Sequence, residues 1–209
     1  IRDSDNAVRT FVAVDIPKSV RAALGECIEP LRKRRQSTGT DTRGRTGIRW
    51  TRPEGWHITL AFLGELAPED VERVVAATKT VASAAKPFNA AVDGWGVFPD
   101  ERRPRVLWAG VVSGADEITA LATALDAQLS RDGFATEKRA FHPHVTMARI
   151  EDPRAGAQAY DTLSSPRTQS GRRVSLEPFR VDRLTVFRST LKRTGAEYSV
   201  LAECPFGEG

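Results

Sequence analysis

The spacing of apolar and polar residues along the chain predicts a mixture of strands and amphipathic helices. Residues 8–16, VRTFVAVDI, alternate and are rich in β-branched and aromatic types, which predicts a strand that enters the core. A helix should follow, because Pro17 suits a first helical turn and apolar residues recur at helical spacing from Val20 to Leu31. Two further amphipathic helices are predicted, over residues 68–84 and 116–129.

Shorter apolar runs predict the remaining strands. They are IRWT, HITLAFLG, residues 88–98, residues 105–112, the segment FHPHVTMARI, residues 174–187 and residues 198–203. The polar segments 36–47 and 151–173 are predicted to be loops, the second with a short helix near residues 155–163. Because hairpins and helices mix without regular βαβ alternation, the predicted fold class is α+β with antiparallel sheet.

Length and composition favour an ordinary globular protein. The 209 residues exceed the usual size of one simple domain, which favours a single bilobed domain over residues 1–209. Hydrophobic residues make up 40% of the chain and charged residues 28%, enough for a real core. The net charge of +4 mildly favours a polyanionic partner, although enrichment in Ala and Arg from a GC-rich coding sequence gives the same balance.

The two cysteines, Cys27 and Cys204, stand far apart and in no metal-ligand spacing. This argues against a disulfide framework or a structural zinc site and favours a reducing, cytoplasmic setting. No stretch approaches the roughly 20 apolar residues of a membrane span, and the first residues lack a signal-peptide pattern. We therefore expect a cytoplasmic protein without a membrane partner.

Two of the three histidines occur in the same pattern, His57-Ile-Thr-Leu and His144-Val-Thr-Met. Residues i and i+2 of a strand project to the same face, so each motif presents an imidazole beside a hydroxyl, from Thr59 or Thr146. A lone histidine on a strand is more often structural. Two copies, one in each half of the chain, favour duplicated halves whose motifs face one cleft.

Two imidazoles suit phosphodiester chemistry at neutral pH. With a pKa near ~6.5, one ring can accept a proton from water while the other donates one to the leaving oxygen. The hydroxyls of Thr59 and Thr146 can donate hydrogen bonds to the non-bridging oxygens. His142 would supply a third imidazole for a catalytic zinc, but Pro143 breaks that strand and no carboxylate or cysteine stands at ligand spacing. We therefore expect no metal and no cofactor.

The sequence resembles a known family, the two-histidine phosphoesterases, and among them the RNA 2′,3′-cyclic phosphodiesterases, also called 2′-5′ RNA ligases. The resemblance rests on the paired motifs and on segments that span nearly the whole chain. These are RTFVAVDIP, IRWTRPEGWHITLAFLGE, GVFPDERRPRVLWAGV, FHPHVTMAR and LTVFRSTLKRTGAEYSVL. One departure is Trp56, which stands where such proteins often have Asn, and should alter packing or substrate contacts beside the site.

The resemblance implies a bilobed fold of pseudo-twofold duplicated halves, with antiparallel sheets lining a central cleft and helices outside. It implies hydrolysis of 2′,3′-cyclic phosphate ends of RNA to 2′-phosphates without metal, and the possible reverse 2′-5′ ligation. It assigns the proton donor to His57 and the proton acceptor to His144. RNA is the expected partner, bound by a monomer that needs no obligate protein partner.

Three further side chains are candidates for substrate binding. Arg149 can bind phosphate through its fork of donors, and Phe11 and Trp56 can contact a nucleotide, although core packing is the alternative for both aromatic rings. Other basic and aromatic residues can line an RNA groove, with solvated surface or core as the alternative. They are Arg43, Arg45, Arg49, Arg52, Arg102, Arg103, Arg105, Trp50, Trp95 and Trp108.

Two other functions remain open from the sequence. A cyclic phosphodiesterase for small nucleotides or 2′-5′ oligonucleotides would use the same residues. A non-catalytic protein that binds RNA ends is a different class, and the intact His and Thr residues of both motifs argue against it.

Overall fold

The computed structural model describes residues 6–38, 47–136, 140–165, 177–192 and 195–207. Four α-helices and nine strands form within this part of the chain. The strands are β1 (Val8–Asp15), β2 (Ile48–Trp50), β3 (His57–Leu66), β4 (Phe88–Phe98), β5 (Val106–Ser113), β6 (His144–Ile150), β7 (Phe179–Val181), β8 (Arg183–Lys192) and β9 (Gly195–Pro205). The helices are α1 (Lys18–Thr38), α2 (Pro68–Ala84), α3 (Ala115–Arg131) and α4 (Pro153–Ser164).

The strands form one antiparallel sheet in the order β7-β4-β5-β6-β3-β1-β8-β9, with β2 paired to β6. The α+β fold class is therefore confirmed. The strands belong to one continuous sheet, where the family resemblance implied separate antiparallel sheets. The sheet has two lobes, β7-β4-β5-β6 and β3-β1-β8-β9. Among the described residues, β3 and β6 are joined by the single pair Ile58 and Val145, so the two lobes meet at a narrow seam.

The two halves of the chain repeat one order of elements. The first runs β1-α1-β3-α2-β4 and the second β5-α3-β6-α4-β8, if the short strands β2 and β7 and the last strand, β9, are set aside. The last strand of each half crosses over, because β4 pairs with β5 and β8 pairs with β1. This exchange ties the halves together and gives the pseudo-twofold relation that the paired motifs indicated.

The main core lies between the sheet and the helices. As predicted, the residues that alternate with the motif side chains point into it: Ile58, Leu60, Val145 and Met147 are buried. A second, smaller core under α4 includes Ile48, Leu107 and Ala148. Asp152 is the N-cap of helix α4, and its carboxylate accepts a hydrogen bond from the Arg154 backbone N–H.

Most predicted elements are present, and the end of the chain differs. The single strand expected over residues 174–187 is wrong, because β7 ends at Val181 and β8 begins at Arg183. The intervening Asp182 marks the crossing between lobes: β7 pairs with β4, whereas β8 pairs with β1 and β9. Helix α1 extends into the predicted loop 36–47, of which residues 39–46 lie outside the described chain.

Candidate active site

Each histidine motif begins a central strand. His57 is the first residue of β3 and His144 the first of β6. The antiparallel register that pairs Ile58 with Val145 places His57 beside Thr146 and Thr59 beside His144. All four side chains are partly exposed on the face opposite the buried Ile58 and Val145. The structure therefore brings the four predicted residues to one face of the seam.

Both imidazoles are held by the same kind of hydrogen bond, between Nδ1 and the backbone carbonyl oxygen two residues earlier. Nδ1 of His57 lies 2.7 Å from the carbonyl oxygen of Gly55, and Nδ1 of His144 lies 2.7 Å from that of His142. A carbonyl oxygen only accepts, so Nδ1 carries the proton in each ring. Each neutral ring thus leaves the Nε2 lone pair for a substrate or water.

Aromatic rings surround His57. The ring of Phe11 stacks on the imidazole at 4.6 Å between centroids, and Phe187 lies behind at 6.0 Å. Tyr198 meets the imidazole edge-on at 5.2 Å. A Cβ at Gly55 would lie 2.8 Å from the Tyr198 ring, so the glycine permits this close approach. These contacts fix the plane of the imidazole.

His144 lies in a second aromatic group. Phe98 meets it edge-on at 5.1 Å, Trp108 lies at 6.0 Å and His142 stacks at 6.3 Å. The Nε1 of Trp108 is buried without a hydrogen-bond partner among the described residues. The two histidines therefore have similar aromatic surroundings, supplied by different strands of the two lobes.

Burial lowers the pKa of both histidines. The pKa of His57 falls from 6.5 to about 4, mainly because burial disfavours the charged ring; the hydrogen bond to Gly55 opposes this, and the positive charges of Arg21 and His144 add to it. Burial also lowers the pKa of His144, with its bond to the His142 carbonyl acting in the other direction. Both rings are therefore neutral at pH 7 in the ligand-free site.

The threonine hydroxyls of the motifs have no hydrogen-bond partner within the described residues. Thr59 and Thr146 are partly exposed, and each lies two residues from its histidine on the same face. Two hydroxyl donors and two imidazole nitrogens therefore converge on the same space. This set can bind an oxyanion and transfer protons to and from it.

Arg149 is exposed on β6, three residues beyond Thr146. Burial raises the pKa of the Tyr198 phenol, and the positive charges of Arg149 and Arg9 oppose that rise. Arg149 therefore acts electrostatically on a ring that touches His57. This location fits the predicted role in phosphate binding.

Two predicted substrate contacts are not supported. Phe11 is 2% exposed and Trp56 is 1% exposed, so neither ring has a surface on which a base could stack. Phe11 instead supports His57, and the indole Nε1 of Trp56 donates to Thr51 Oγ1 at 2.7 Å. In both cases the core alternative is correct, because an aromatic ring in a central strand or just before it buries more area than it exposes.

Sequence reasoning missed Arg21 and Thr51. Arg21 forms an ion pair with Asp15 and donates to the carbonyl oxygen of Trp56 from Nε at 3.3 Å and from Nη2 at 3.2 Å. Thr51 bonds to Trp56 and to the backbone of β6. Neither belongs to a motif, and only the three-dimensional contact reveals them. Tyr198 lies in the family-like segment LTVFRSTLKRTGAEYSVL, but nothing in the sequence indicated that its ring contacts His57.

The remaining predicted RNA contacts are dispersed. Arg49 lies opposite Arg149 in the pairing of β2 with β6, and both side chains are exposed. Arg102, Arg103 and Arg105 are exposed between β4 and β5, whereas Arg43 and Arg45 lie outside the described residues. In the described chain, no group of three or more His, Cys, Asp or Glu side chains could hold a metal ion. No described helix is long and apolar enough to cross a membrane.

The paired motifs on one sheet face form the arrangement of a two-histidine phosphoesterase, and comparison with known proteins supplies the family. Residues 14–108 and 110–198 match the family described as LigT like Phosphoesterase. The chain belongs to the LigT-like phosphoesterase family.

Named relatives and solved structures agree with this family. A Thermotoga maritima protein named RNA 2′,3′-cyclic phosphodiesterase is 31% identical over 203 residues, 97% of each chain. A protein of the same name from Archaeoglobus fulgidus is 32% identical over 174 residues, 83% of this chain and 89% of that protein. The crystal structure of TT0787 from Thermus thermophilus has a TM-score of 0.72 at 29% identity, covering 96% of this chain and 100% of that one. Apo LigT of E. coli shares the fold, with a TM-score of 0.65 at 22% identity over 97% and 99% of the chains.

Proposed function

We propose that this protein hydrolyses 2′,3′-cyclic phosphate ends of RNA to 2′-phosphomonoesters, with His57 and His144 as the acid and the base. The observation that carries the proposal is the pair of imidazoles with identically anchored Nδ1 atoms, each two residues from a threonine on one sheet face. The shared name of the curated relatives supports RNA 2′,3′-cyclic phosphate as the substrate.

In the proposed reaction, Nε2 of His144 removes a proton from a water molecule, whose oxygen attacks phosphorus. The bond between phosphorus and the 3′ oxygen breaks, and His57 donates its Nε2 proton to that oxygen. The products are a free 3′ hydroxyl and a 2′-phosphomonoester. With the 5′ hydroxyl of a second RNA in place of water, the same steps open the cyclic phosphate to a 2′-5′ phosphodiester, which is ligation.

The charge that develops on the phosphoryl oxygens needs donors that are already in place. The hydroxyls of Thr59 and Thr146 can donate to the non-bridging oxygens, and the Arg149 guanidinium can approach from the strand end. These groups require no metal ion. We therefore propose a metal-independent enzyme.

The anionic substrate also adjusts the proton balance of the site. Burial keeps both imidazoles neutral in the free protein, but a bound phosphodiester anion favours the charged imidazolium and raises both pKa values. Binding of the anion is thus coupled to uptake of a proton from solvent, and this is the Nε2 proton that His57 donates. His144, without a proton on Nε2, remains the base.

The test is an assay of EDTA-treated protein on an oligonucleotide that ends in a 2′,3′-cyclic phosphate, with products resolved by ³¹P NMR. We expect full turnover and a 2′-phosphate. His57→Ala and His144→Ala should each lower kcat roughly 10²- to 10⁴-fold with substrate binding largely retained. Loss of activity with EDTA and recovery with zinc would disprove the acid and base assignment.

The order of the two histidines can be tested with an activated aryl ester that leaves without protonation. This substrate should rescue His57→Ala substantially and leave His144→Ala impaired. Rescue of the opposite variant reverses the roles, and a 3′-phosphate product means that the other ester bond breaks.

We further propose that the protein acts as a cytoplasmic monomer with RNA as its partner. Both Cys27 and Cys204 are free, as a reducing compartment favours. A small cyclic nucleotide is the second candidate substrate, since the same four motif residues would serve it. Comparing kcat/KM for cyclic mononucleotides and oligonucleotides distinguishes the two.

A further inference from the structure

A partly buried hydroxyl, that of Thr51, connects the two histidine motifs. Thr51 follows β2, and its Oγ1 accepts a hydrogen bond from the indole Nε1 of Trp56 at 2.7 Å. The same Oγ1 lies 2.7 Å from the carbonyl oxygen of Met147 and 2.9 Å from that of Thr146, and its single proton serves these acceptors. The Thr51 backbone N–H also donates to Met147, at 2.9 Å.

The two ends of this bridge are chemically significant. Trp56 is covalently next to His57, and Thr146 belongs to the second motif. A continuous path therefore runs from the first motif through the indole and the hydroxyl to the backbone of the second.

We propose that Thr51 is a positioning residue that sets the distance between His57 and His144, an inference that rests on the proposed two-histidine mechanism. The seam between β3 and β6 has one residue pair among the described strands, so it leaves their relative tilt weakly determined. The pairing of β2 with β6 already holds Thr51 against the second motif, and the Thr51–Trp56 hydrogen bond adds an attachment from there to the residue next to His57. With two attachments, the angle between β3 and β6 is fixed, whereas the single pair at the seam leaves that angle free.

The first motif is held on its other side as well. Arg21 of α1 donates two hydrogen bonds to the Trp56 carbonyl oxygen, and it is itself paired with Asp15. Trp56 is thus held by its backbone from Arg21 and by its indole from Thr51, which is bonded to β6. Trp56 therefore has a structural role in this chain, because its indole N–H donates to the Thr51 hydroxyl, which an aliphatic side chain could not do.

Accurate spacing matters because an acid and a base must both reach the same phosphate. Each needs a hydrogen-bond distance to its own reacting oxygen, and a displacement of about 1 Å caused by a remote change can cost about 10²-fold in rate. Loss of the bridge should therefore lower kcat while the pocket that binds the RNA end remains.

The first experiment compares Thr51→Val, which keeps the shape and removes the hydroxyl, with Thr51→Ser, which keeps the hydroxyl. Thr51→Val should lower kcat about 10- to 100-fold with KM changed less than about threefold, and Thr51→Ser should remain near wild type. Thr78→Val is the matched control, because Thr78 is fully buried in α2 and its hydroxyl bonds to the Val74 carbonyl. Its kcat should be unchanged.

The second experiment is a double-mutant cycle with Trp56→Phe, which removes the indole donor and retains an aromatic ring. Because both side chains act through one bridge, the double variant should be no slower than Thr51→Val alone. Additive losses, an unchanged kcat in Thr51→Val, or an equal loss in Thr51→Ser would each overturn the proposal. If Thr51→Val does not fold, Thr51→Ser and Trp56→Phe decide by the same kcat criterion.

These outcomes are separable from failure of the proposed function. If wild-type protein does not turn over, or if His57→Ala and His144→Ala keep full activity, the two-histidine mechanism itself is wrong. If those variants behave as proposed and Thr51→Val retains its kcat, the bridge alone is refuted.

Discussion

The ring of Phe11 stacks on the imidazole of His57, with centroids 4.6 Å apart and planes inclined by 27°. Phe11 is in turn stacked on Phe187 at 5.1 Å, and these two residues with Ala13 form a small core of their own on the site side of the sheet. This apolar support explains why burial dominates the pKa of His57. It also gives Phe11 a function that differs from nucleotide stacking.

Replacing Phe11 by Leu should raise the pKa of His57 from about 4 toward 6.5, because a smaller, unstacked side chain admits water to the ring. The packing loss should cost about 1 kcal/mol, which the fold should tolerate. NMR titration of the three histidine rings in ligand-free protein measures the change. An unchanged His57 pKa in this variant would show that burial of the ring does not depend on Phe11.

Acidification should destabilise the protein between pH 6.5 and about 4. Across this window the unfolded chain protonates His57 and the folded protein does not, so the free energy of unfolding rises with pH and falls as pH is lowered. The shift from 6.5 to about 4 corresponds to a loss of about 3 kcal/mol at the acid end. Urea unfolding at pH 7 and pH 4.5 measures it.

The control for this effect is His57→Gln, which cannot titrate. It should reduce the pH dependence substantially and leave the smaller part that His144 contributes in the same direction. Equal slopes in wild type and His57→Gln would mean that other groups cause the acid sensitivity.

The value of kcat/KM should be highest on the acid side of pH 6.5. Catalysis by the proposed mechanism needs one protonated and one neutral ring, and kcat/KM reports the pKa values of the free enzyme, which burial lowers for both histidines. A pH profile with a saturating and a limiting substrate concentration separates kcat from kcat/KM. An optimum of kcat/KM above pH 8 contradicts this expectation.

Sequence periodicity was sufficient for the local structure and for the paired motifs. The i, i+2 rule correctly oriented Ile58 and Val145 into the core, and duplication correctly indicated that the motifs meet. The pairing of β4 with β5 agrees with a hairpin across PDERRPR, whereas the pairing of β8 with β1 could not be predicted, because strand partners far apart in sequence leave no periodic signal. The division of residues 174–187 at Asp182 has the same cause.

Around the site, the sequence identified the side chains that can take part in the reaction better than it identified the residues that surround them. The histidines and threonines were found because a repeated pattern is statistically conspicuous. For Phe11 and Trp56 the sequence left substrate contact and core packing open, because an aromatic residue near a motif looks the same in sequence whether it packs below the site or above it. Thr51 left no signal, since its partners are backbone carbonyls of a strand about 95 residues away.

Arg149→Gln should lower kcat/KM about 10- to 100-fold on a cyclic-phosphate oligonucleotide. Gln keeps the reach for one hydrogen bond and loses the charge and the fork that bind phosphate, and charge-assisted hydrogen bonds are the stronger kind. Arg131→Gln on α3 is the matched control, because Arg131 is exposed and bonds only to Gln128 among the described residues. Equal effects of the two substitutions on kcat/KM would indicate general electrostatic attraction and exclude a specific phosphate contact.

Gly96→Ala should damage the His144 half of the site from a distance. A Cβ at Gly96 would lie 2.1 Å from Cζ2 of Trp108, an overlap that forces the indole to move. Trp108 meets His142 edge-on at 4.7 Å, and the His142 carbonyl accepts the Nδ1 proton of His144. Displacing the indole therefore disturbs the residue that orients the proposed base.

We expect Gly96→Ala to cost about 1–3 kcal/mol of stability and to lower kcat at 25 °C, where the variant remains folded. Gly25→Ala is the control, because no atom lies within 4 Å of a Cβ at that position in α1 and alanine favours a helix. Thermal unfolding and steady-state kinetics of both variants give the comparison. If Gly96→Ala loses stability but keeps the wild-type kcat, Trp108 packs against His142 without helping to orient His144.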